Sequence, residues 1–266
     1  MSELVRTEID AGVGRLILNR TQAMNTLNID MARAIRVAAQ RLAYDETVRV
    51  VLICTEGSYF MAGGDIAYFG EVGAKPTQVD SDFATHELIQ EAHLAIRAIR
   101  TMAKPVVASV VGGAAGIGVS IVAACDLAIA ADNCVFTLAY SMLGATPDGG
   151  ATFSLPRLMG LKQAAELIML SDRFDAQRAL QLGLFNQIVP ADQLKAETEK
   201  LVKRLASGPT FAYAKAKQLL NASLTNSLDQ QLEMEEASFV ACGRTEDFAE
   251  GVAAFAGKRK PNFKGK

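Results

Sequence analysis

The chain contains no tryptophan, two histidines and four cysteines in 266 residues. The cysteines, Cys54, Cys125, Cys134 and Cys242, stand far apart with no C-x-x-C pair, so buried thiols are expected and neither a zinc cage nor a disulfide framework is. No uninterrupted apolar run reaches about eighteen residues, and the opening "MSELVRTEID" has no basic segment leading into an apolar one. A membrane span and a secretory leader are therefore not expected, and the expected compartment is the cytosol. An excess of one charge is lacking as well. The formal net charge is −2, which leaves no global attraction for nucleic acid or for an anionic membrane. A non-catalytic, RNA-binding role calls for a basic stripe, and the overall acidity argues against one.

What is present suits a packed globule. Half of the residues (50%) are apolar and 21% are charged, and this length buries a full core either as one large α/β domain or as a main domain with a helical appendage. "LVRTEI" and "GRLILN", joined through "DAGV", alternate as a hairpin does. From Asn28 the spacing of Met31, Ala34, Ile35, Ala38, Ala39 and Leu42 predicts an amphipathic helix, and "VRVVLICT" follows as a strand. Lys75 to Asp82 read as polar surface, and helical periodicity returns over residues 83 to 102. "KPVVASVVGGAAGIGVSIVAACDLAIAAD" predicts strand, glycine turn, small-residue helix, strand. Helical patterns then dominate, with "LFNQIV" as the one late strand. A shift in composition places a boundary near residue 195, dividing an α/β core (1–195) from a helical region (196–266).

Two glycine-bearing turns carry the chemistry. In "SVVGGAAGIGVSIV" a strand ends in glycines and flows into a helix, which exposes unpaired N–H groups at the positive end of the helix dipole and suits an anionic oxygen. Its order, G-G-x-x-G-x-G, is not the G-x-G-x-x-G of dinucleotide folds. The plainer role for these glycines is close packing. The second turn, "FMAGGDI", follows the strand ending near Thr55. One N–H from each turn aimed at a single oxygen stabilises an enolate or a tetrahedral intermediate. A third stretch, "GATPDGG", sets one carboxylate, Asp148, between a proline and two glycines, just ahead of the helix-compatible "ATFSLPRLMG". Pro147 limits the backbone before the acid and the glycines permit a sharp turn after it, so the side chain can be aimed into a cleft. The competing role for Asp148 is to cap that helix.

The pattern F-x-A-G-x-D-I in Phe60 to Ile66, the run ending "AACDLAIAAD", the block "FTLAYSMLGATPDGG", then "ALQLGLFNQIVP" and the closing "FAGKRKPNF" occur in order along essentially the whole chain. Together they resemble the crotonase superfamily, also called the enoyl-CoA hydratase/isomerase family. The resemblance implies an α/β fold, a crotonase-like spiral of ββα units with a C-terminal helical trimerisation region. It implies trimers or dimers of trimers and a substrate presented as a coenzyme A thioester. No separate cofactor, metal, nucleic-acid or membrane partner is implied, because coenzyme A is part of the substrate.

The family's two oxyanion donors map onto the N–H groups of Gly64 and Ile117; at the latter place the family usually has glycine. The places of its two hydratase glutamates hold Ser120 and Tyr140, neither of which is a carboxylate base at neutral pH. Asp148 stands where some isomerases of the superfamily carry a single catalytic acid. The resemblance thus implies an isomerase that shifts a double bond, or rearranges a ring-containing thioester, with Asp148 as sole acid/base and Tyr140 and His93 tuning it. His93 and Asp148 also resemble the water-activating histidine and the nucleophile of 4-chlorobenzoyl-CoA dehalogenases, which have a tryptophan where Tyr140 stands. An atypical hydratase is the other alternative. His86 is expected on the rim. Substrate contacts are expected from Arg20, Ala62, Asp65, Ile66 and Gly116, and from Lys258 in the cluster with Arg259 and Lys260, which suits the nucleotide end. Phe69, Met142 and Phe153 are candidates for an apolar acyl tunnel.

Overall fold

The computed structural model of the chain describes residues 3–266. The hairpin forms as expected: β1 (Val5–Asp10) pairs antiparallel with β2 (Val13–Leu18). α1 (Ile29–Tyr44) starts at Asn28, whose side chain accepts the Met31 N–H at 3.0 Å, and buries Met31, Ile35, Ala38, Ala39 and Leu42 along one stripe. β3 (Val50–Thr55) then runs parallel to β2. α2 (Ile66–Gly73) and α3 (Gln78–Thr101) follow, capped by Asp65 and Thr77. The polar segment expected over residues 75–82 is thus helical from Gln78 onward: the Thr77 hydroxyl caps the first turn, a signal that apolar periodicity does not register.

The glycine-rich stretch yields β4 (Val106–Val110), β5 (Gly113–Ala115), α4 (Ile117–Ala124), β6 (Leu127–Ala131) and β7 (Val135–Thr137). Next come α5 (Ala151–Met159), α6 (Leu161–Leu170), β8 (Phe174–Asp175), α7 (Ala176–Gln181) and β9 (Gln187–Val189). β8 is a short late strand besides the one expected. The chain closes with α8 (Leu194–Ala206), α9 (Thr210–Ala222), α10 (Leu228–Cys242) and α11 (Glu246–Ala256).

The larger sheet has the order β1-β2-β3-β4-β6-β9, parallel apart from its first pair, and β5-β7-β8 form a second, smaller sheet. A long strand followed by a short one, as in β4–β5 and β6–β7, winds the chain back and forth between the sheets in the expected α/β spiral. Parallel strands covered on both faces read as continuous apolar runs, and side-chain alternation sorts them. Val51, Ile53, Val106 and Ala108 face the main core with α1 and α3, while Val50, Leu52 and Val107 face Val202 and Ala206 of α8. The boundary expected at residue 195 therefore falls in the first turn of a helix that covers the sheet. No helix among the described residues is long and apolar enough to cross a membrane.

The glycines between β4 and β5 are demanded by packing. A Cβ on Gly112 would lie 2.1 Å from the Ser58 carbonyl oxygen, and one on Gly113 would lie 1.9 Å from that of Val135. Cys125 and Cys134 are buried as expected, whereas Cys54 and Cys242 are half-buried. Burial pushes the Cys54 and Cys134 thiols up to about 11, which keeps them protonated and inert.

Candidate active site

The two glycine turns meet at one cavity of about 640 Å³. The first turn is held by a web of main-chain bonds: Leu27 N–H to Gly63 O (2.8 Å), Ala62 N–H to Met24 O (3.0 Å) and Asp65 N–H to Leu27 O (2.9 Å). The second is laid against it through Ala115 N–H to Met61 O at 2.9 Å. A Cβ on Gly116 would come within 3.6 Å of Gly63 Cα, so the turns abut. Gly64 and Ile117 both line the cavity, and among the described residues neither N–H has a protein acceptor. Ile117 is the first residue of α4, where unpaired N–H groups and the helix dipole coincide. The packing role holds for Gly112 and Gly113, and the turn that follows leaves the Ile117 N–H without a protein acceptor.

Asp148 lines the same cavity. It does not cap α5: Gly150 occupies the N-cap with no side-chain bond, and only the Asp148 main-chain oxygen meets the helix, accepting Ala151 N–H at 3.1 Å. The carboxylate turns instead to Tyr140, whose hydroxyl donates to Oδ1 at 2.5 Å. Ser120 Oγ donates to the Asp148 carbonyl oxygen at 3.1 Å and anchors the turn from beneath. Burial raises the carboxyl above its ordinary value, and the Tyr140 bond and the charge of His93 offset only part of that. Burial, reinforced by the neighbouring carboxylate, drives the Tyr140 hydroxyl upward as well, so it stays a donor. Asp148 is the one carboxylate lining the cavity among the described residues, and His93 and Tyr140 are the other titratable groups there.

Of the expected substrate contacts, Ala62, Ile66 and Gly116 line the cavity; Arg20, Asp65 and Lys258 do not. Arg20 is engaged elsewhere: its guanidinium pairs with Asp65 at 2.6 Å and donates to Thr26 O at 2.8 Å. Asp65 in turn caps α2 through the Ala67 and Tyr68 N–H groups. Burial would raise its carboxyl, but these bonds and Arg20 outweigh it and hold Asp65 below the usual range. The pair thus braces the Gly63–Gly64 turn. Lys258 lies exposed beyond α11. Phe69 and Met142 line the cavity, with Phe69 packed over Gly64, while Phe153 is outside, its ring under the Arg157 guanidinium. His86 is exposed and also outside. The sequence reading missed Thr85, Leu88, Ile89, Leu143 and Thr146. For Leu88 and Ile89 the helical spacing of α3 carried a usable signal; for residues 143–146 nothing did.

The chain matches the family model for enoyl-CoA hydratase/isomerase over residues 8–266. It is 34% identical to the 1,2-epoxyphenylacetyl-CoA isomerase of Escherichia coli (strain K12), with 100% of both chains covered. It is also 34% identical to the crotonyl-CoA hydratase of Syntrophomonas wolfei, over 93% of each. The solved structure of an enoyl-CoA hydratase from Polaromonas sp. JS666 superposes with a TM-score of 0.91 at 34% identity, covering 98% of this chain and 99% of that one.

Proposed function

The chain belongs to the enoyl-CoA hydratase/isomerase family, and from that premise we propose that it is an acyl-CoA isomerase with Asp148 as its single acid/base. The observation that carries this reading is the solitary carboxylate: one group lining the cavity can accept and return a proton, and Tyr140 already holds one of its oxygens. The thioester oxygen accepts the N–H groups of Gly64 and Ile117. Asp148 takes a proton from the carbon next to the carbonyl through the oxygen Tyr140 leaves open, and the two donors hold the enolate that forms. The neutral acid then returns the proton farther along the acyl group, which moves the double bond. Burial supports this cycle by making the carboxylate a stronger base than a solvated aspartate. The similarity to an isomerase supports it too. A two-carboxylate hydration lacks its second acid, since Ser120 and Tyr140 occupy those places and both hydroxyls are spent on Asp148.

His93 favours a second reading. It lines the cavity close enough for its charge to act on Asp148, the arrangement a dehalogenase uses with the aspartate as nucleophile. Incubation in heavy water with 2-enoyl-, 3-enoyl- and 4-chlorobenzoyl-CoA separates these. Deuterium uptake with a shifted double bond is expected, lost in Asp148→Asn with thioester binding kept. Released chloride, or net addition of water, would overturn the isomerase. We also propose self-association as a trimer or dimer of trimers, supported by exposed apolar side chains on α10 and α11 such as Leu232, Phe239, Val252 and Phe255.

A further inference from the structure

A second, smaller hollow of about 10 Å³ lies between α1, α3 and α4. Ala32 and Ile35, Ala92 and Ala95, and Ile121 wall it, and it shares Leu27 and Ile117 with the main cavity. Every wall residue is apolar, so the hollow offers a water no partner and stays dry. Ile117 is the partition. Its side chain is 4% exposed, and its Cδ1 fills the space beside the Asp148 turn so fully that a Cβ on Gly149 would lie 2.1 Å from it. The same residue contributes the unpartnered N–H at the head of α4. On the acyl-CoA reading, a thioester oxygen taken up by that N–H would bring the first acyl carbons beside this side chain, which lines the cavity.

We propose that Ile117 is the specificity-determining residue of the cavity: its side chain walls off the α1–α3–α4 hollow and excludes acyl groups branched near the carbonyl. Acyl bulk is thereby confined to the main cavity, which Leu88, Ile89 and Leu143 also line. This rests on the acyl-CoA reading of the site, and not on which reaction follows. The small residues Ala92 and Ala95 leave the space behind the partition, so truncating Ile117 joins hollow and cavity while the N–H stays in place.

The test is calorimetric binding of unreactive saturated thioesters, butyryl-CoA against 3,3-dimethylbutanoyl-CoA, to the wild-type protein, Ile117→Val and Ile117→Ala. Relative to the straight chain, affinity for the branched one is expected to rise by about tenfold or more in Ile117→Ala, the lower end of what one methylene commands in an apolar pocket. Ile117→Val should fall between, and adding Ala95→Val to Ile117→Ala should reverse the gain by refilling the hollow. A branched-to-straight ratio unchanged in both Ile117 variants would overturn the inference with the acyl-CoA reading intact. Failure of the wild type to bind either thioester would overturn both.

Discussion

Replacing Tyr140 by phenylalanine keeps the ring and removes the hydroxyl that donates to Asp148 Oδ1 at 2.5 Å. A hydrogen bond to a charged group contributes about 1.5–3 kcal/mol net, and water reaching the half-buried carboxylate favours the lower end. Asp148 must be ionised to take a proton, so turnover falls away as pH drops through its folded pKa. Burial already sets that fall at a higher pH than for an exposed aspartate, and the Tyr140 bond pulls against burial. Without the bond, the ratio of ionised to protonated Asp148 on the acidic side drops by roughly tenfold, since about 1.4 kcal/mol is a factor of ten. The acidic limb of kcat/KM for double-bond migration must therefore move to higher pH in Tyr140→Phe. The Ser120 bond to the Asp148 carbonyl keeps the turn in place, so the plateau at high pH should change far less than the limb. The assay is kcat/KM against pH for both proteins, which reports the free enzyme's groups. A limb that stays put, or moves to lower pH, would refute the assignment of Tyr140 as the group that keeps Asp148 ionised.

Asp65→Ala removes the cap of α2 and the Arg20 pair together; a loss of about 0.5–2 kcal/mol is expected for the cap alone, read by chemical denaturation. It should also lower kcat/KM, because the brace on the Gly64 donor goes with it. Lys217 is 7% exposed and donates to Asp126 Oδ2 at 2.7 Å and to the Ile99 carbonyl at 3.0 Å. Lys217→Ala leaves the half-buried Asp126 carboxylate with only the Val106 N–H (2.8 Å) and should cost toward the lower end of about 3–5 kcal/mol in the same measurement, with α9 loosened from the core. Gly149→Ala meets both a φ of +58° and Ile117 Cδ1, so a loss of about 1–3 kcal/mol is expected, with activity falling further than stability under the proposed role of Ile117 as a donor. Equal losses in the two readouts would argue that Ile117 takes no part in the site.

The fold was legible wherever local physics matched tertiary demand. The Asn28 helix declares itself because its burial repeats with the helical period, the hairpin through two strand-like stretches around a short turn, and β3, β4 and β6 as unbroken apolar runs bounded by turn residues. α3 was read short at its start, because its first turn is polar and is fixed by a cap rather than by a core. β7 and β8 went unread: each is held by pairing within a small sheet of distant segments, and three or two residues leave no period to detect.

The site divides along a different line. The glycine turns stood out because glycines between strand and helix leave backbone N–H groups unpaired, whereas Asp148, in a Pro-Asp-Gly setting that equally suits a turn or a helix cap, stood out only through the family resemblance. Arg20 shows a different limit: a cation near the expected mouth suits a phosphate by charge alone, and spacing along the chain does not reveal that Asp65 stands close enough to pair with it. Ile117 and Tyr140 mark the limit more sharply. Both were visible as departures at places of known chemistry, but an isoleucine's N–H is no different from a glycine's, and a tyrosine's hydroxyl serves whichever acid it reaches. Their consequences are set by what stands within a few ångströms: Gly149 has room only because it has no side chain beside Ile117, and Oδ1 of Asp148 is the acceptor that Tyr140 finds eight residues on. A residue that matters through its backbone leaves its mark in the sequence only through the residues that must be small around it, and in this chain Gly149, where a Cβ would meet Ile117 Cδ1 at 2.1 Å, carries that mark for Ile117.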